Sequence, residues 1–198
     1  MLVTDTDLTA LPATCATCDG TVAPDGYCEQ CGAAAPRQRD HWCDQPATWL
    51  AAVCDRGVRH TRNEDAMAVS AALVPGSLGA LVVCDGVSMA VDSDVASLAA
   101  ARAARDVMIA GLAPRRPTAA STRTGQQTAR AGDFAARIVA AGAAAQAKAA
   151  EAAAGVAEGK SPPSCTFVAA LVERSTETGP SLVAVSYTHL TLPTNREG

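Results

Sequence analysis

Four cysteines near the start of the chain are spaced as two C-x-x-C pairs. They are Cys15, Cys18, Cys28 and Cys31, and nine residues separate the two pairs. Two such pairs can turn four thiolates inward as a tetrahedral set, which suits Zn²⁺. Because four protein ligands leave no open position on the metal, we expect a structural zinc site. A tetrathiolate iron site and four free or oxidised thiols are the alternatives.

Acidic residues at the ends of two predicted strands form a second group. Glu64 and Asp65 lie in the segment DRGVRHTRNEDA over residues 55–66, and Asp85 directly follows the apolar run LGALVVC. Taken alone, the first segment reads as a solvated hairpin loop and the second as a turn. Together they place three carboxylates beside adjacent strands, where they could converge on hard divalent cations.

The apolar pattern predicts the elements that would hold these groups. Short apolar runs predict strands over residues 49–54, 66–74, 78–84, 165–172 and 181–187. Helices are predicted over residues 95–112 and 134–157, with a mobile polar loop over residues 114–130. Consecutive strands favour antiparallel pairing with a helix pair on one sheet face. The expected class is therefore α+β, not a doubly wound parallel fold.

The chain divides into two units of different composition. Residues 12–36 are rich in turn residues and cysteines and have almost no apolar side chains, so they cannot fold on a hydrophobic core alone. We expect this unit to be a zinc ribbon. A polar linker over residues 37–48 is expected to join it to a larger unit that begins near Trp49.

Composition narrows the class of protein further. The 198 residues carry a net charge of −4, and the fourfold cysteine cluster fits a reducing compartment. An acidic chain does not favour a nucleic-acid-binding surface. No apolar stretch is long enough to span a bilayer, and residues 1–11 lack the pattern of a signal peptide. We therefore expect a cytoplasmic protein without a membrane segment. Arginine supplies most of the 16 basic residues, a bias typical of GC-rich bacterial genes.

The order of short motifs in the larger unit resembles the type 2C family of metal-dependent protein phosphatases. Members typically show R-G, then N-E-D, then a strand ending in D-G, then two helices and a Ser/Gly-x-Thr strand. Here Arg56–Gly57, residues 63–65, Asp85–Gly86 and residues 164–166 stand in that order. The resemblance covers roughly residues 49–186, a little over half of the family's catalytic domain.

The resemblance implies a β-sandwich of antiparallel sheets flanked by helix pairs, incomplete in this chain, with two Mn²⁺ or Mg²⁺ ions at one end. Asp85 would bridge both ions, the Gly86 carbonyl would bind one of them, and Glu64 would hold metal-bound water with Asp65. Asp85, Glu64 and Asp65 would be the catalytic residues. The implied reaction is hydrolysis of phosphoserine or phosphothreonine by a metal-bridged water, on phosphorylated proteins of Ser/Thr kinase signalling.

Two departures from the family pattern bear on phosphate binding. The family's arginine four residues before the glutamate is replaced by His60. We expect His60 and its neighbours Arg59 and Arg62 to bind the phosphate, and either arginine could supply the bidentate contact. The loop after Asp85–Gly86 also differs from the family's G-G-H. These changes favour the alternative of a pseudophosphatase that acts as a binding or regulatory module. An electron-transfer protein built on the cysteines is a third possibility.

A third departure concerns the end of the sequence. No aspartate follows Asp133, although the family's later metal ligands are aspartates. Residues 187–198 also differ in composition from the alanine-rich chain before them. We therefore expect this segment not to be native sequence, and the chain to be a truncated and weakly active copy of the domain.

Overall fold

Two antiparallel sheets and two helices make up a mixed α+β fold. A computed structural model of the chain describes residues 1–113, 123–154, 156–157, 159–175 and 179–190. The strands are β1 Leu2–Val3, β2 His41–Ala47, β3 Leu50–Asp55, β4 Ala66–Ala71, β5 Gly79–Cys84, β6 Cys165–Ser175 and β7 Gly179–Leu190. The helices are α1 Ser93–Ile109 and α2 Arg123–Ala153, and one 3₁₀ turn covers Gln38–Asp40.

The larger sheet places β4 and β5 at its centre, next to β6. Its order is β1-β4-β5-β6-β7, and β2 and β3 form a separate hairpin. Every pairing is antiparallel, as the strand order predicts. Ala66 pairs with Cys84, so the start of β4 and the end of β5 lie at the same edge of the sheet.

Strand β4 is covered on both faces, and all six of its residues are buried. Alternate side chains of a strand point to opposite faces. Ala66 and Ala68 join the core beneath the helices. Met67 packs with Trp42 and Cys54 of the β2–β3 hairpin on the other face. The hairpin, the large sheet and the helix pair therefore form three layers.

Small side chains build the contact between the helices and the sheet. Ala100, Ala101 and Ala104 of α1 are fully buried, as is Ala141 of α2. Fewer apolar atoms are buried per residue than in a leucine-rich core, so the gain in free energy per residue is smaller. Close approach of the backbones compensates by keeping the interior densely packed.

The first residues of the chain tie the layers together. Leu2 and Val3 pair with the edge of β4. Asp5 accepts two hydrogen bonds from Arg105, whose side chain is only 3% exposed. Thr6 binds the buried Asp44 of β2 through its backbone N–H at 3.0 Å and its hydroxyl at 2.7 Å. The segment thus connects α1, the large sheet and the hairpin.

Residues 41–47 correct the prediction of a polar linker over residues 37–48, because they form strand β2. Its buried positions are Trp42, Asp44 and Pro46. Only the first is a large apolar side chain, so the alternation that marks a strand is hidden in the sequence. Strand β1 was not predicted either, because two residues are too few to show a period.

The second helix also differs from its prediction. Residues 123–130 belong to α2, although a loop was expected there, and the helix ends at Ala153. Residues 114–122 of that expected loop lie outside the described residues. At the other end of the chain, residues 187–190 form the last part of β7. The rest of the segment expected to be non-native, residues 191–198, lies outside the described residues as well.

None of the helices in the described ranges has both the length and the apolarity needed to cross a bilayer.

Replacing Asp5 should destabilise the fold more than replacing a neighbouring aspartate. Asp5→Ala leaves the buried Arg105 with fewer acceptors, which we expect to cost roughly 1–3 kcal/mol of unfolding free energy. Asp7→Ala is the matched control, because the hydrogen bonds of the Asp7 side chain within the described residues go to the nearby Thr9 at the surface. Urea unfolding of both variants checks this. Equal effects of the two substitutions would contradict the assigned role of Asp5.

Candidate functional site

The four predicted cysteines lie together as one cluster. Their sulfurs are all within 4.8 Å of one another. The Cys15 and Cys31 sulfurs are 3.7 Å apart, and those of Cys18 and Cys28 are 3.5 Å apart. Four sulfurs about 2.3 Å from a tetrahedral Zn²⁺ would be separated by roughly 3.8 Å. The cluster therefore could bind a structural metal such as zinc.

Two copies of the same backbone turn hold these sulfurs. Asp19 and Gly32 follow the second cysteine of each pair in the left-handed conformation, with φ of 58° and 69°. In each copy the left-handed residue donates its N–H to the carbonyl of the first cysteine, at 2.9 Å. The turns therefore share one hydrogen-bonding pattern, although their sequences, CATCDG and CEQCGA, share only the cysteines.

Backbone N–H groups aimed at the sulfurs favour the thiolate form. The N–H of Thr17 donates to the Cys15 sulfur at 3.3 Å, and that of Gln30 donates to the Cys28 sulfur at 3.4 Å. Hydrogen bonds from Thr17 and Cys18 lower the pKa of Cys15 to about 6. The pKa of Cys28 is also lowered by backbone donors. Two of the four ligands are thus prepared for deprotonation, as metal binding requires.

The predicted acidic residues line a cleft at one edge of the large sheet. Its volume is about 350 Å³. The lining residues come from the end of β3 and from the β3–β4 and β5–α1 connections. They are Asp55, Gly57, His60, Arg62, Asn63, Glu64, Asp65, Asp85, Gly86 and Ser88. The structure therefore brings Glu64, Asp65, Asp85 and Gly86 together in one cleft. The cleft differs from the cysteine cluster in presenting oxygen and nitrogen ligands, which suit harder cations.

Strand register explains why Asp65 and Asp85 meet. Asp65 directly precedes Ala66 of β4, and Asp85 directly follows Cys84 of β5, its partner in the ladder. Gly86 lets the two connections touch, because a Cβ there would lie 2.5 Å from the Glu64 carbonyl oxygen. A larger residue at this position would separate the two acidic segments.

Strand β6 holds Asp85 in place through Thr166. The N–H of Asp85 donates to the Thr166 hydroxyl at 3.1 Å, and the N–H of Thr166 donates to the Asp85 carbonyl at 2.8 Å. The next connection is the N–H of Val87 to the Ser164 carbonyl at 2.9 Å. The Ser-x-Thr motif therefore fixes the backbone from which the Asp85 carboxylate projects into the cleft.

Asp85 is close enough to Asp65 to disturb the ionisation of Asp65. Partial burial, followed by the hydrogen bond and charge of Asp85, raises the pKa of Asp65 from its ordinary 3.8 to about 6. Two like charges held together favour a shared proton or a bound cation. This pair is the part of the cleft best suited to a divalent ion.

Glu64 has a different environment from the two aspartates. Its side chain is 8% exposed and accepts a hydrogen bond from Arg62 at 2.8 Å. Arg62 also donates to the Ala90 carbonyl at 2.7 Å. Within the described ranges, the cysteines are the only group of three or more potential metal ligands whose donor atoms lie within 4.8 Å. The cleft carboxylates are thus a pair with a neighbouring ion pair, not a closed cage.

The three predicted phosphate-binding residues are not equivalent. His60 and Arg62 line the cleft, whereas Arg59 is exposed and is not among the lining residues. Arg62 already donates hydrogen bonds to the Glu64 carboxylate and the Ala90 carbonyl, so its guanidinium is only partly available to bind phosphate. His60 is exposed and caps a turn through its N–H to the Gly57 carbonyl.

Sequence reasoning missed two residues at this site. Asp55, the last residue of β3, lines the cleft and pairs with His41. Arg39 lies behind the cleft and donates to backbone carbonyls of Asn63 and Asp65. The first follows from strand pairing, since His41 faces Asp55 in the β2–β3 register. No local pattern marks Arg39, because its partners are distant in sequence.

The cysteine cluster predicts one zinc ion per chain in the purified protein. Cys18→Ser and Cys31→Ser should each lose most of the metal, because three thiolates hold Zn²⁺ less tightly than four. Cys43→Ser is the matched control, since Cys43 is an exposed cysteine outside the cluster. Elemental analysis of metal per chain measures the difference. Bound iron, or full zinc content in Cys18→Ser, would contradict the assignment.

Removing the charge of Asp65 should stabilise the metal-free protein at neutral pH. Because the folded state binds the Asp65 proton more tightly than the unfolded chain, its ionisation costs stability as pH rises from about 4 to about 6, and the cost persists above that range. For Asp65→Asn we expect a gain of about 1 kcal/mol after solvent screening, or about 2–4 °C in Tm, at about pH 7.5 and none at about pH 3.5.

Asp55→Asn is the comparison for this experiment. Asp55 lines the same cleft, but its carboxylate is paired with His41, so neutralising it removes an attraction. We expect no gain in Tm from this variant. Scanning calorimetry at both pH values, with chelator present, measures the effect. A gain from Asp65→Asn that did not change with pH would contradict the crowding of the two aspartates.

Comparison with known proteins identifies no relative of this chain. No family model matches the chain, and no curated protein or solved structure matches it significantly. The geometry of the described residues is therefore what supports a function.

Proposed function

We propose that the larger unit belongs to a metal-dependent serine/threonine protein phosphatase and that residues 12–36 form a zinc ribbon. The observation that supports this most is the meeting of Asp65 and Asp85 in a cleft at the sheet edge. Those two residues come from the N-E-D and D-G motifs on which the family resemblance rests. A third motif, Ser-x-Thr, supports the same cleft through Thr166.

The donor atoms of the cleft fit Mg²⁺ or Mn²⁺. Mg²⁺ keeps several waters and is commonly bound through one or two carboxylates together with substrate phosphate. Asp65 and Asp85 supply such a pair, and their mutual repulsion is relieved by a cation. The bound metal would supply Lewis acidity for attack of water on phosphorus. Glu64, neutralised by Arg62, would orient the surrounding water through hydrogen bonds.

The residues of this chain would contribute mainly positioning. Arg62 and His60 lie at the cleft where a phosphoryl group would sit. Ser88 adds a hydroxyl on the opposite connection. Because the loop containing Gly57 and His60 is exposed, a phosphorylated side chain on a protein could enter without passing through a tunnel. A phosphoprotein substrate therefore suits the cleft.

A pseudophosphatase is the second candidate, and the engagement of Arg62 favours it. The guanidinium of Arg62 is held by Glu64 and Ala90, and the family's phosphate-binding arginine is replaced by His60. A neutral imidazole holds phosphate weakly at neutral pH. In this reading the cleft binds a cation and the domain serves as a regulatory module.

The zinc ribbon would bind protein rather than nucleic acid. Residues 12–36 contain Asp19, Asp25 and Glu29 and no lysine or arginine. Such a surface repels phosphate backbones, which need basic residues. A basic protein segment is the partner that its charge favours.

The first test measures cation binding and hydrolysis together. Mn²⁺ is titrated into the chain and followed by electron paramagnetic resonance, and the same samples are assayed on a phosphothreonine peptide. Asp85→Asn should weaken Mn²⁺ binding by about tenfold or more and abolish hydrolysis. Asp92→Asn is the matched control, because Asp92 lies in the same connection but outside the cleft, in a left-handed conformation that asparagine tolerates.

Each outcome separates the candidates. Mn²⁺-dependent hydrolysis that requires Asp85 supports the phosphatase. Asp85-dependent Mn²⁺ binding without hydrolysis supports the pseudophosphatase. Failure to bind Mn²⁺, or binding that Asp85→Asn leaves unchanged, contradicts both.

A further inference from the structure

A buried arginine lies behind the acidic segment and contacts its backbone. Arg39 has a side chain that is 12% exposed. Its Nε donates to the Asn63 carbonyl at 3.1 Å, and its Nη2 donates to the Asp65 carbonyl at 3.1 Å. The same Nη2 lies 2.6 Å from the Asp94 carbonyl and 3.2 Å from the Ser97 hydroxyl of α1. One guanidinium thus joins the acidic segment to the start of the helix.

The carbonyl between these two is also held by a hydrogen bond. Ser97 Oγ donates to the Glu64 carbonyl at 2.5 Å. Three consecutive carbonyls, those of residues 63–65, are therefore fixed by Arg39 and its hydrogen-bond partner Ser97. Asn63 returns the contact, since its side-chain amide donates to the Arg39 carbonyl at 3.0 Å. With all three carbonyls hydrogen-bonded, the chain has little freedom to rotate the carboxylates away from the cleft.

We propose that Arg39 is a positioning residue that sets the direction of the Glu64 and Asp65 carboxylates, and so the cation affinity of the cleft. The inference about metal rests on the proposed function, but the inference about the backbone does not. Arg39 does not line the cleft and would touch neither substrate nor metal. It acts through the backbone of the segment that carries the acids.

Arginine is required here by geometry as well as by charge. A planar guanidinium presents several N–H donors in a fixed fork, so it can serve carbonyls from two elements at once. A lysine ammonium is a point charge on a flexible stem and cannot reproduce that fork. The Trp42 ring, whose centroid is 5.5 Å from the guanidinium carbon, covers the remaining side. This cover keeps water from competing for the carbonyls.

Hydrogen exchange in the metal-free protein tests the backbone role directly. Wild type, Arg39→Lys and Arg39→Met are compared by mass spectrometry on peptides covering residues 62–66 and on peptides from β6. We expect exchange in residues 62–66 to become about tenfold faster in both variants, with β6 unchanged. Arg37→Met is the matched control, since Arg37 is exposed and its side chain makes no hydrogen bond or ion pair within the described ranges.

Mn²⁺ affinity, measured by electron paramagnetic resonance, tests the consequence for the cleft. The Kd should rise about tenfold in Arg39→Lys and stay at the wild-type value in Arg37→Met. Faster exchange with an unchanged Kd would overturn the link to metal. Wild-type exchange in the Arg39 variants would overturn the proposal outright, as would uniform loss of protection or failure of both variants to fold.

The proposal and the proposed function can fail separately. If wild-type protein binds no Mn²⁺, the phosphatase reading fails, while the exchange result still decides whether Arg39 positions the segment. If Mn²⁺ binding requires Asp85 but Arg39→Lys behaves as wild type in both measurements, the proposed function is supported and the positioning role of Arg39 is contradicted.

Discussion

The pairing register of β4 with β5 is the constraint on which the cleft depends. Ala66 lies opposite Cys84, so the residues just outside the two strands, Asp65 and Asp85, meet at the sheet edge. A slip of one residue would turn every side chain of a strand to the other face. Met67 would then point toward the helices, and Ala66 and Ala68 would face the hairpin. Burial of β4 on both faces therefore fixes the register, and the register brings the two acids together.

The small side chains of the core extend this constraint to the helix. Alanines at the α1–sheet contact let the helix lie close enough for Ser97 and the Asp94 carbonyl to reach Arg39. A larger residue at Ala100 or Ala101, both fully buried, would push α1 outward and overpack the core. Such a substitution would disturb the site as well as the packing of the core, because α1 holds the backbone of the acidic segment through Arg39 and Ser97. Core composition and site geometry are thus coupled.

Much of the fold was predictable from apolar runs, and the site was predictable where it coincided with strand ends. The run before Asp85 gave both β5 and the position of its aspartate. Strand β2 was hidden because a buried aspartate and a proline occupy inward positions. The role of Arg39 could not be predicted from the sequence for a related reason. A buried arginine is identified by the groups that it hydrogen-bonds, and those groups lie 24 or more residues away along the chain. Hydrogen bonds between residues that are distant in sequence produce no repeating pattern of residue types from which they could be predicted.

The charges of the cleft impose an order on binding under the proposed function. Four carboxylates line it, against one arginine and one histidine. Arg62 is already paired with Glu64, so it offsets little of the remaining negative charge. A phosphate dianion approaching the metal-free cleft would be repelled at distances shorter than the Debye length, about 8 Å at physiological ionic strength. A divalent cation at Asp65 and Asp85 reverses the sign of the local field, so the metal must bind before or together with the phosphoryl group.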